Sequence, residues 1–548
     1  MNFAKNSIFE YMKTIIFTIV FSVSVLMHSY AQERTVGLLL NTEESFNGYT
    51  LFSNSDDTYL IDNCGEVINT WGSQFAPGLG VYLTEEGDLL RTGSAQGSTI
   101  NAGGAGGIYE LFDWDGELLW SYRISNDTMR AHHDIELLPN GNFLALVWEL
   151  MPNERAVELG RAFNNDIFME VVLELKPIGI DEVEIVWMWK LEDHIVQDEF
   201  EEIPTFGVVS DEVRKLDFNF NPNGGNTIAR DWIHINAIDY NPVLDQIALS
   251  SRELGEIWII DHSTTTEEAK TDTGGLAGHG GDFLYRYGNP QIYGQGDADD
   301  QVLTGQHDIR WVEHEGNYSG ALSVFNNLWD VGSSRVEIWE PPINGLDYDM
   351  ENGVFGPNEL LFEYNEEGFF GARVSGAEVL PNGNVLICEG PEGRFFEVNS
   401  DGELVWEYLN PVHSSNGPVN QGTSNFSAFT FRANRYAADF TGFIGRDLTP
   451  QGPIELNPLP NECIIFNSTN TDDTHLEIDI YSTIEGVIYM NAEQETQLTI
   501  FNNYGALVYS ETVYPGMSEI DLRHLNSGVY FVNSLQERES YTFQMIKI

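Results

Sequence analysis

The chain is poor in positive charge, in cysteine and in long apolar stretches, and each shortage removes a class of protein. Lys and Arg number 26 against 85 Asp and Glu, a formal charge of −59 over 548 residues. Such a surface repels phosphate backbones, so nucleic acid is excluded as a partner. The three cysteines, Cys64, Cys388 and Cys463, are far apart and lack CxxC spacing, so at most one intramolecular pair can form, and which pair stays open. Beyond residue 31 no run is long and apolar enough to cross a bilayer as a helix, so no stable transmembrane segment is expected. There is no Walker A loop to cradle nucleotide phosphates and no full EF-hand loop for calcium.

What is present describes a folded, acidic, all-β protein. A 42% hydrophobic and 12% aromatic content is enough to bury a sizeable core. The 52 glycines, with many Asn and Asp, place tight turns between short strands. At the N-terminus Lys5 and Lys13 precede or open an apolar run over 14–27, and HSYA ends on the small residue Ala31. Residues 1–31 therefore read as a secretory signal, removed on export.

Internal repeats organise the middle of the chain. LPNGN at 138–142 recurs at 380–384, each copy followed by an apolar alternating run. A second unit, DGELLWSY at 115–122, recurs as DGELVWEY at 401–408 and more loosely as NCGEVINTW at 63–71. Both units are hairpins. They alternate along the chain with degenerate copies between, and about six four-stranded units fit between Val36 and Phe440, which predicts a six-bladed β-propeller over residues 36–446. The insertion 191–230 is expected to form loops over one face. Residues 447–473, rich in Pro, Asn, Ser and Thr, read as a linker, and 474–548 as a small β-sandwich of short strands.

Aligning the hairpins on Pro139 and Pro381 places His133 and Ser375 at one shared position, six residues earlier. His234 in DWIHIN and His307 in GQHD occupy it in two degenerate copies. Corresponding positions of inner propeller strands converge on the central channel, so these residues define a candidate site. His132 is adjacent to His133, and strand alternation is expected to send one of the two elsewhere. With so few cations in the chain, those near the same strands are informative: Arg130, Arg252, Arg335, Arg373, Arg432 and Arg435. Arginine's planar fork suits sulfate, phosphate or carboxylate.

Together HHDIELLPNGN at 132–142, DWIHIN at 231–236, QHD at 306–308, SGAEVLPNGNVLICEG at 375–390 and WEY at 406–408 resemble the bacterial arylsulfate sulfotransferases. FRANRY at 431–436 and DLTP at 447–450 are similar to the closing segment of that family's Bacteroidota members. The resemblance implies transfer of a sulfuryl group from a phenolic sulfate donor to a phenol acceptor through a transient sulfo-histidine, without nucleotide donor, cofactor or metal. It implies His307, His234 and Arg335 as catalytic groups, with His133, Arg373, Ser375 and Arg252 binding substrate and Asp308 available to orient a histidine. Where the family places a further histidine, this chain reads GARVS at 371–375. The segments TIFNNYG at 499–505, IDL at 520–522, LNSGVYF at 525–531 and the terminal Lys547-Ile548 resemble the type IX secretion sorting domain. That implies the type IX machinery as a partner and a secreted or outer-surface location. Two other readings compete: a non-catalytic secreted propeller that binds a partner or glycan at its channel, and a metalloprotein in which His133, His234 and His307 hold a transition metal.

Overall fold

The computed structural model describes residues 34–466 apart from 226, 315, 358 and 461, and residues 479–547 apart from 483–486, 493–495, 503–506, 515, 524, 526–527 and 537–538. The expected signal segment 1–31, residues 467–473 of the expected linker and residues 474–478 of the expected sandwich lie outside the described residues. The chain divides into two units, residues 1–468 and 469–548.

Unit one is a six-bladed β-propeller. Blade 2 is Pro77–Leu83, Leu89–Ser94, Gly107–Phe112 and Leu118–Arg123, in that order from channel to rim. Blade 3 is Met129–Leu137, Phe143–Met151, Ile167–Ile178 and Glu182–Lys190, and blade 4 is Ile235–Asn241, Gln246–Ser251, Glu256–Asp261 and Tyr285–Tyr287. Blade 5 runs His307–Trp311, Leu322–Asp330, Ser333–Trp339 and Phe362–Tyr364. Blade 6 runs Gly376–Val379, Val385–Glu389, Arg394–Val398 and Leu404–Leu409, with the N-terminal strand Gly37–Asn41 added at its rim. Blade 1 is built from both ends of the unit: its inner strand Asn434–Ala437 pairs with Gly48–Asn54, which is followed by Asp57–Asp62 and Val67–Gly72.

The hairpin repeat read in the sequence is offset by half a blade from these sheets. A pair such as 59–71 and 81–92 joins the outer hairpin of blade 1 to the inner hairpin of blade 2. The offset has a physical cause: ring closure uses a strand from each chain end, so the repeat begins in mid-blade. The blades pack face to face through apolar residues from alternate strand positions, for example Leu173, Phe143, Tyr109 and Trp120 between blades 2 and 3.

Two expected loops are structured. The insertion 191–230 buries Leu191, Ile195, Leu216 and Phe218 in the cluster that also holds Trp189 and Trp232. Residues 451–456 run along the propeller: Val67 N–H donates to the Gly452 carbonyl at 2.9 Å and Ile454 is buried in the core; further on, Cys463 is disulfide-bonded to Cys64. Cys388 is the buried free thiol. Unit two contains two antiparallel sheets. One comprises Asp479–Ser482, Val487–Ala492 and Gly516–Asp521, and the other Leu507–Val513, Thr496–Asn502, Gly528–Gln536 and Glu539–Lys547, a strand set compatible with a sandwich. Among the described residues no helix is long and apolar enough to span a membrane.

Candidate active site at the mouth of the propeller channel

The inner strands of five blades share a backbone irregularity where they meet the channel. Leu79, His133, His234, Asp308, Val374 and Ser375 all take positive φ (107°, 46°, 55°, 60°, 48° and 83°). Pairing registers slip beside these residues in blades 2 to 5, as β-bulges do, and a bulge re-aims the side chains next to it. This corrects the alternation argument for His132 and His133. With His133 left-handed the two side chains meet, Nδ1 to Nδ1 at 3.0 Å, and both are buried.

His133 and His234 form the centre, their rings edge to face with centroids 4.6 Å apart. His234 donates through Nδ1 to the Asp231 carboxylate at 2.5 Å, and its Nε2 has no hydrogen bond to any described residue. The sequence DWIH supplies that carboxylate three residues upstream, before the strand begins. His132 stacks on Trp148 with centroids 4.1 Å apart, and its Nε2 faces Glu170 Oε2 at 3.0 Å. The loop carrying Gly103 and Gly104 passes over the His234 and His133 rings. A side chain on Gly104, which has φ +78°, would lie 2.0 Å from His133 Nε2, so glycine leaves that nitrogen uncovered by a side chain. Arg130 pins this loop through the carbonyls of Ala95, Ile100 and Gly106.

His307 is held differently. Its Nδ1 lies 2.7 Å from Asn327 Oδ1 and 3.0 Å from the Gly305 carbonyl, while its Nε2 accepts the Val374 N–H at 3.2 Å. Both nitrogens are occupied. Burial, aided by the neighbouring Arg252, lowers its pKa to about 3 and outweighs the Asn327 hydrogen bond, so the ring is neutral. Burial and the neighbouring His234 and His132 likewise push His133 well below the usual histidine range.

The other expected residues are distributed as follows. Arg252 adjoins the site: its N–H bonds the His234 carbonyl at 3.1 Å and its guanidinium meets Glu253. Arg373 is exposed at the mouth, 5.4 Å from the Phe429 ring centroid. Ser375 is buried, its Oγ accepting the Gly390 N–H at 3.1 Å. Arg335 is not gathered with the histidines. It pairs with Glu337 at 2.9 Å and with Glu363 of the blade's outermost strand at 3.3 Å, because the third strand of the blade lies nearer the rim than the channel. Asp308 does not orient His307; it binds Arg310 at 2.9 Å and Arg432 at 3.2 Å. Arg435 is committed to Asn63 and the Phe46 carbonyl within blade 1. Sequence reasoning assigned no role to Asp231, Glu170, Asn327 or the Gly103-Gly104 loop. Only Asp231 had a local signal, its fixed spacing to His234.

Beneath the histidines Asp134, Arg432, Asp308, Arg310 and Tyr82 form a bonded plug across the channel. On its far side a cavity of about 220 Å³ is lined by Glu136, Asp239, Glu313 and Glu378. Arg310, Arg432 and His314 share that lining, and burial raises Glu136, Glu313, Glu378 and Asp239, the last to about 8; the histidines stand at the opposite end. At that end a cavity of about 180 Å³ is lined in part by Ala76, Pro77, Leu79, Phe429 and Phe431, and the Phe431 ring lies 6.4 Å from that of His133. Among the described residues no group of three or more His, Cys, Asp or Glu is arranged to hold a metal ion.

Fold and site define a propeller whose candidate chemistry is carried by histidines at one mouth of its channel. Residues 37–413 match the model of the arylsulfotransferase (ASST) family, and the chain belongs to that family. Residues 464–548 match the secretion system C-terminal sorting domain, which marks the chain for secretion or the cell surface. No curated protein matches the sequence. Solved structures with a similar fold include a Bacteroides caccae protein of unknown function, 13% identical, covering 71% of this chain and 99% of its own, with TM-score 0.39. Others are a putative 6-phosphogluconolactonase from Bacteroides fragilis NCTC 9343 (10% identity, 72% and 98% coverage, TM-score 0.34) and the Myceliophteria thermophila Cps50 (Swd1) β-propeller domain (14%, 70% and 88%, 0.35). Likeness at this level bears on neither substrate nor mechanism.

Proposed function

We propose that the protein transfers a sulfuryl group from a phenolic sulfate ester to a phenol by a two-step exchange through His234. Its Nε2 attacks sulfur, an N–S bond forms, the S–O bond to the aryl group breaks, and the electron pair leaves with the phenoxide. The second phenol then reverses these bonds. The observation that carries this reading is the pairing of an unoccupied Nε2 on His234 with an Nδ1–H held by Asp231. Sulfuryl attachment at Nε2 makes the ring cationic, and the carboxylate at 2.5 Å stabilises that charge. Arg252 and Arg373, at the mouth, supply positive charge for the sulfate oxygens, and the Phe429–Phe431 cavity accommodates an aryl ring. His307, both of whose nitrogens are bonded, serves as a neutral wall of the site. Arg335, committed to Glu337 and Glu363, takes no part in this reading.

The purified chain is expected to release phenol from a chromogenic aryl sulfate in an acceptor-dependent manner. Donor alone should add the mass of one sulfuryl group to the intact protein. His234→Ala should abolish both signals; full activity in that variant would overturn the assignment. One observation favours the binding-propeller reading instead: the buried Ser375 stands where the resemblance implies a further histidine. The same assay separates the two, since a binding propeller forms no sulfo-protein with any donor.

A further inference from the structure

Phenol exchange needs a proton to move twice. A departing phenoxide must gain one, and the incoming phenol must lose one. His234 cannot manage this proton, because its Nε2 carries the sulfuryl group and its Nδ1–H stays on Asp231 in the proposed exchange. The neighbouring His133 has the opposite arrangement: its Nε2 lies beside Gly104 with no side chain bonded to it among the described residues, and its Nδ1 meets His132 Nδ1 at 3.0 Å. An Nδ1-to-Nδ1 contact works only when one ring donates and the other accepts, so the tautomer of His133 is tied to that of His132. His132 in turn faces Glu170 through Nε2 at 3.0 Å. The other Glu170 oxygen already accepts the Ile235 N–H at 3.0 Å, so a carboxyl proton belongs on the oxygen aimed at His132.

We infer that Glu170 and His132 are positioning residues of a proton relay that ends at His133 Nε2 and holds the phenolic proton between the two half-reactions. The inference rests on the sulfuryl-transfer reading. Before donor reacts, Glu170 carries a proton on Oε2, His132 on Nδ1 and His133 on Nε2. As the phenoxide leaves, it takes the His133 Nε2 proton, the His132 Nδ1 proton passes to His133 Nδ1, and the Glu170 proton passes to His132 Nε2. Glu170 is then ionised and both rings remain neutral. The incoming phenol returns its proton to His133 Nε2 and the chain reverses, so nothing is consumed. Electrostatics favour this resting form. Burial, reinforced by Asp231, raises Glu170 well above the usual carboxylate range, and burial lowers His132 to about 3. The groups facing Glu170 are His132, the Ile235 N–H, the Trp148 indole and, across the site, Asp231 and His234.

The test uses the full chain and Glu170→Gln, whose amide still accepts from Ile235 but cannot pass a proton to His132. Single-turnover phenol release is measured with phenyl sulfate and with a nitrophenyl sulfate, whose weakly basic phenoxide leaves without a proton. The variant is expected to lose on the order of 100-fold with phenyl sulfate, the scale of general acid–base catalysis, with little change in KM and little loss with the nitrophenyl ester. Glu170→Asp should restore part of the phenyl sulfate rate. Equal loss on both donors, or none on either, overturns the relay. A readout independent of turnover is the imidazole nitrogen NMR signature of His133. In the wild type it should shift from Nε2–H to Nδ1–H as pH rises and Glu170 ionises, and in Glu170→Gln it should stay Nε2–H. A wild-type tautomer unchanged by pH, or the same shift in both proteins, overturns the relay. Failure of the function reading is seen separately, as sulfuryl transfer surviving in His234→Ala.

Discussion

Asn142 and Asn384, the closing residues of the two LPNGN copies, each donate to a glutamate on the third strand of their own blade, Glu174 and Glu397. The turn motif therefore ties the inner hairpin of a blade to its outer half, and its recurrence has a packing reason. Glu174 also reaches the next blade: His262 lies between it, at 3.3 Å, and Asp245, at 2.7 Å. Burial alone would lower the His262 pKa, but the hydrogen bonds to Asp245 and Glu174 prevail and raise it to about 9. A raised histidine stabilises the fold fully below its unfolded pKa, and the contribution is lost as pH rises through the folded value. The difference in urea midpoint between wild type and His262→Gln is therefore expected to be largest below about pH 6.5 and to shrink through about pH 9. A constant difference across that window would show that the imidazolium is not what joins blades 3 and 4. Glu174 is not visible from His262 in sequence, because it belongs to another blade.

The second repeated motif shows why an element is more legible than its neighbours. In DGELxWxY the tryptophan lies on the fourth strand of its blade and donates its indole N–H to a carbonyl of the next blade. Trp71 bonds Asp113, Trp120 bonds Glu182 and Trp406 bonds Asn63, at 2.8, 2.8 and 2.9 Å. The hairpin and its turn are local and follow from spacing; the latch needs the neighbouring blade and does not. Trp406→Phe keeps an aromatic ring in the core while leaving the Asn63 carbonyl unbonded, with an expected cost of about 1–2 kcal/mol in denaturant unfolding. No change would show that this bond adds nothing to the packing of Trp406. Turn register also singles out His133, His234 and His307, of which His133 and His234 take left-handed φ, while in blade 5 the left-handed residue is Asp308. Their differing hydrogen bonds depend on Asp231, Asn327 and the Gly104 loop, and only Asp231 is near in sequence.

At the scale of the whole molecule, closure dominates. Blade 1 unites Asn434–Ala437 with Gly48–Asn54, and residues beyond it run back along that blade to the Cys64–Cys463 disulfide, a separation of 399 residues. A covalent link across so long a loop restricts the unfolded chain, and its presence suits an exported protein. Cys463→Ser is expected to lower unfolding free energy by about 2–4 kcal/mol, measured by urea denaturation, while sulfuryl transfer persists because the site lies at the channel and not at the rim. Loss of activity without loss of stability would contradict that separation.

The sequence by itself determined the C-terminal sorting domain, the all-β class and the number of blades. These follow from local periodicity, turn chemistry and composition, which neighbouring residues encode. Only the tertiary structure decided that Cys64 pairs with Cys463, that Arg335 turns to Glu337 and Glu363, and that 451–456 packs on the propeller. It also distinguished His234, with one ring nitrogen free, from His307, with both engaged. The reason is the same in each case: hydrogen bonds and ion pairs are set by groups that strand pairing and ring closure bring together from distant parts of the chain.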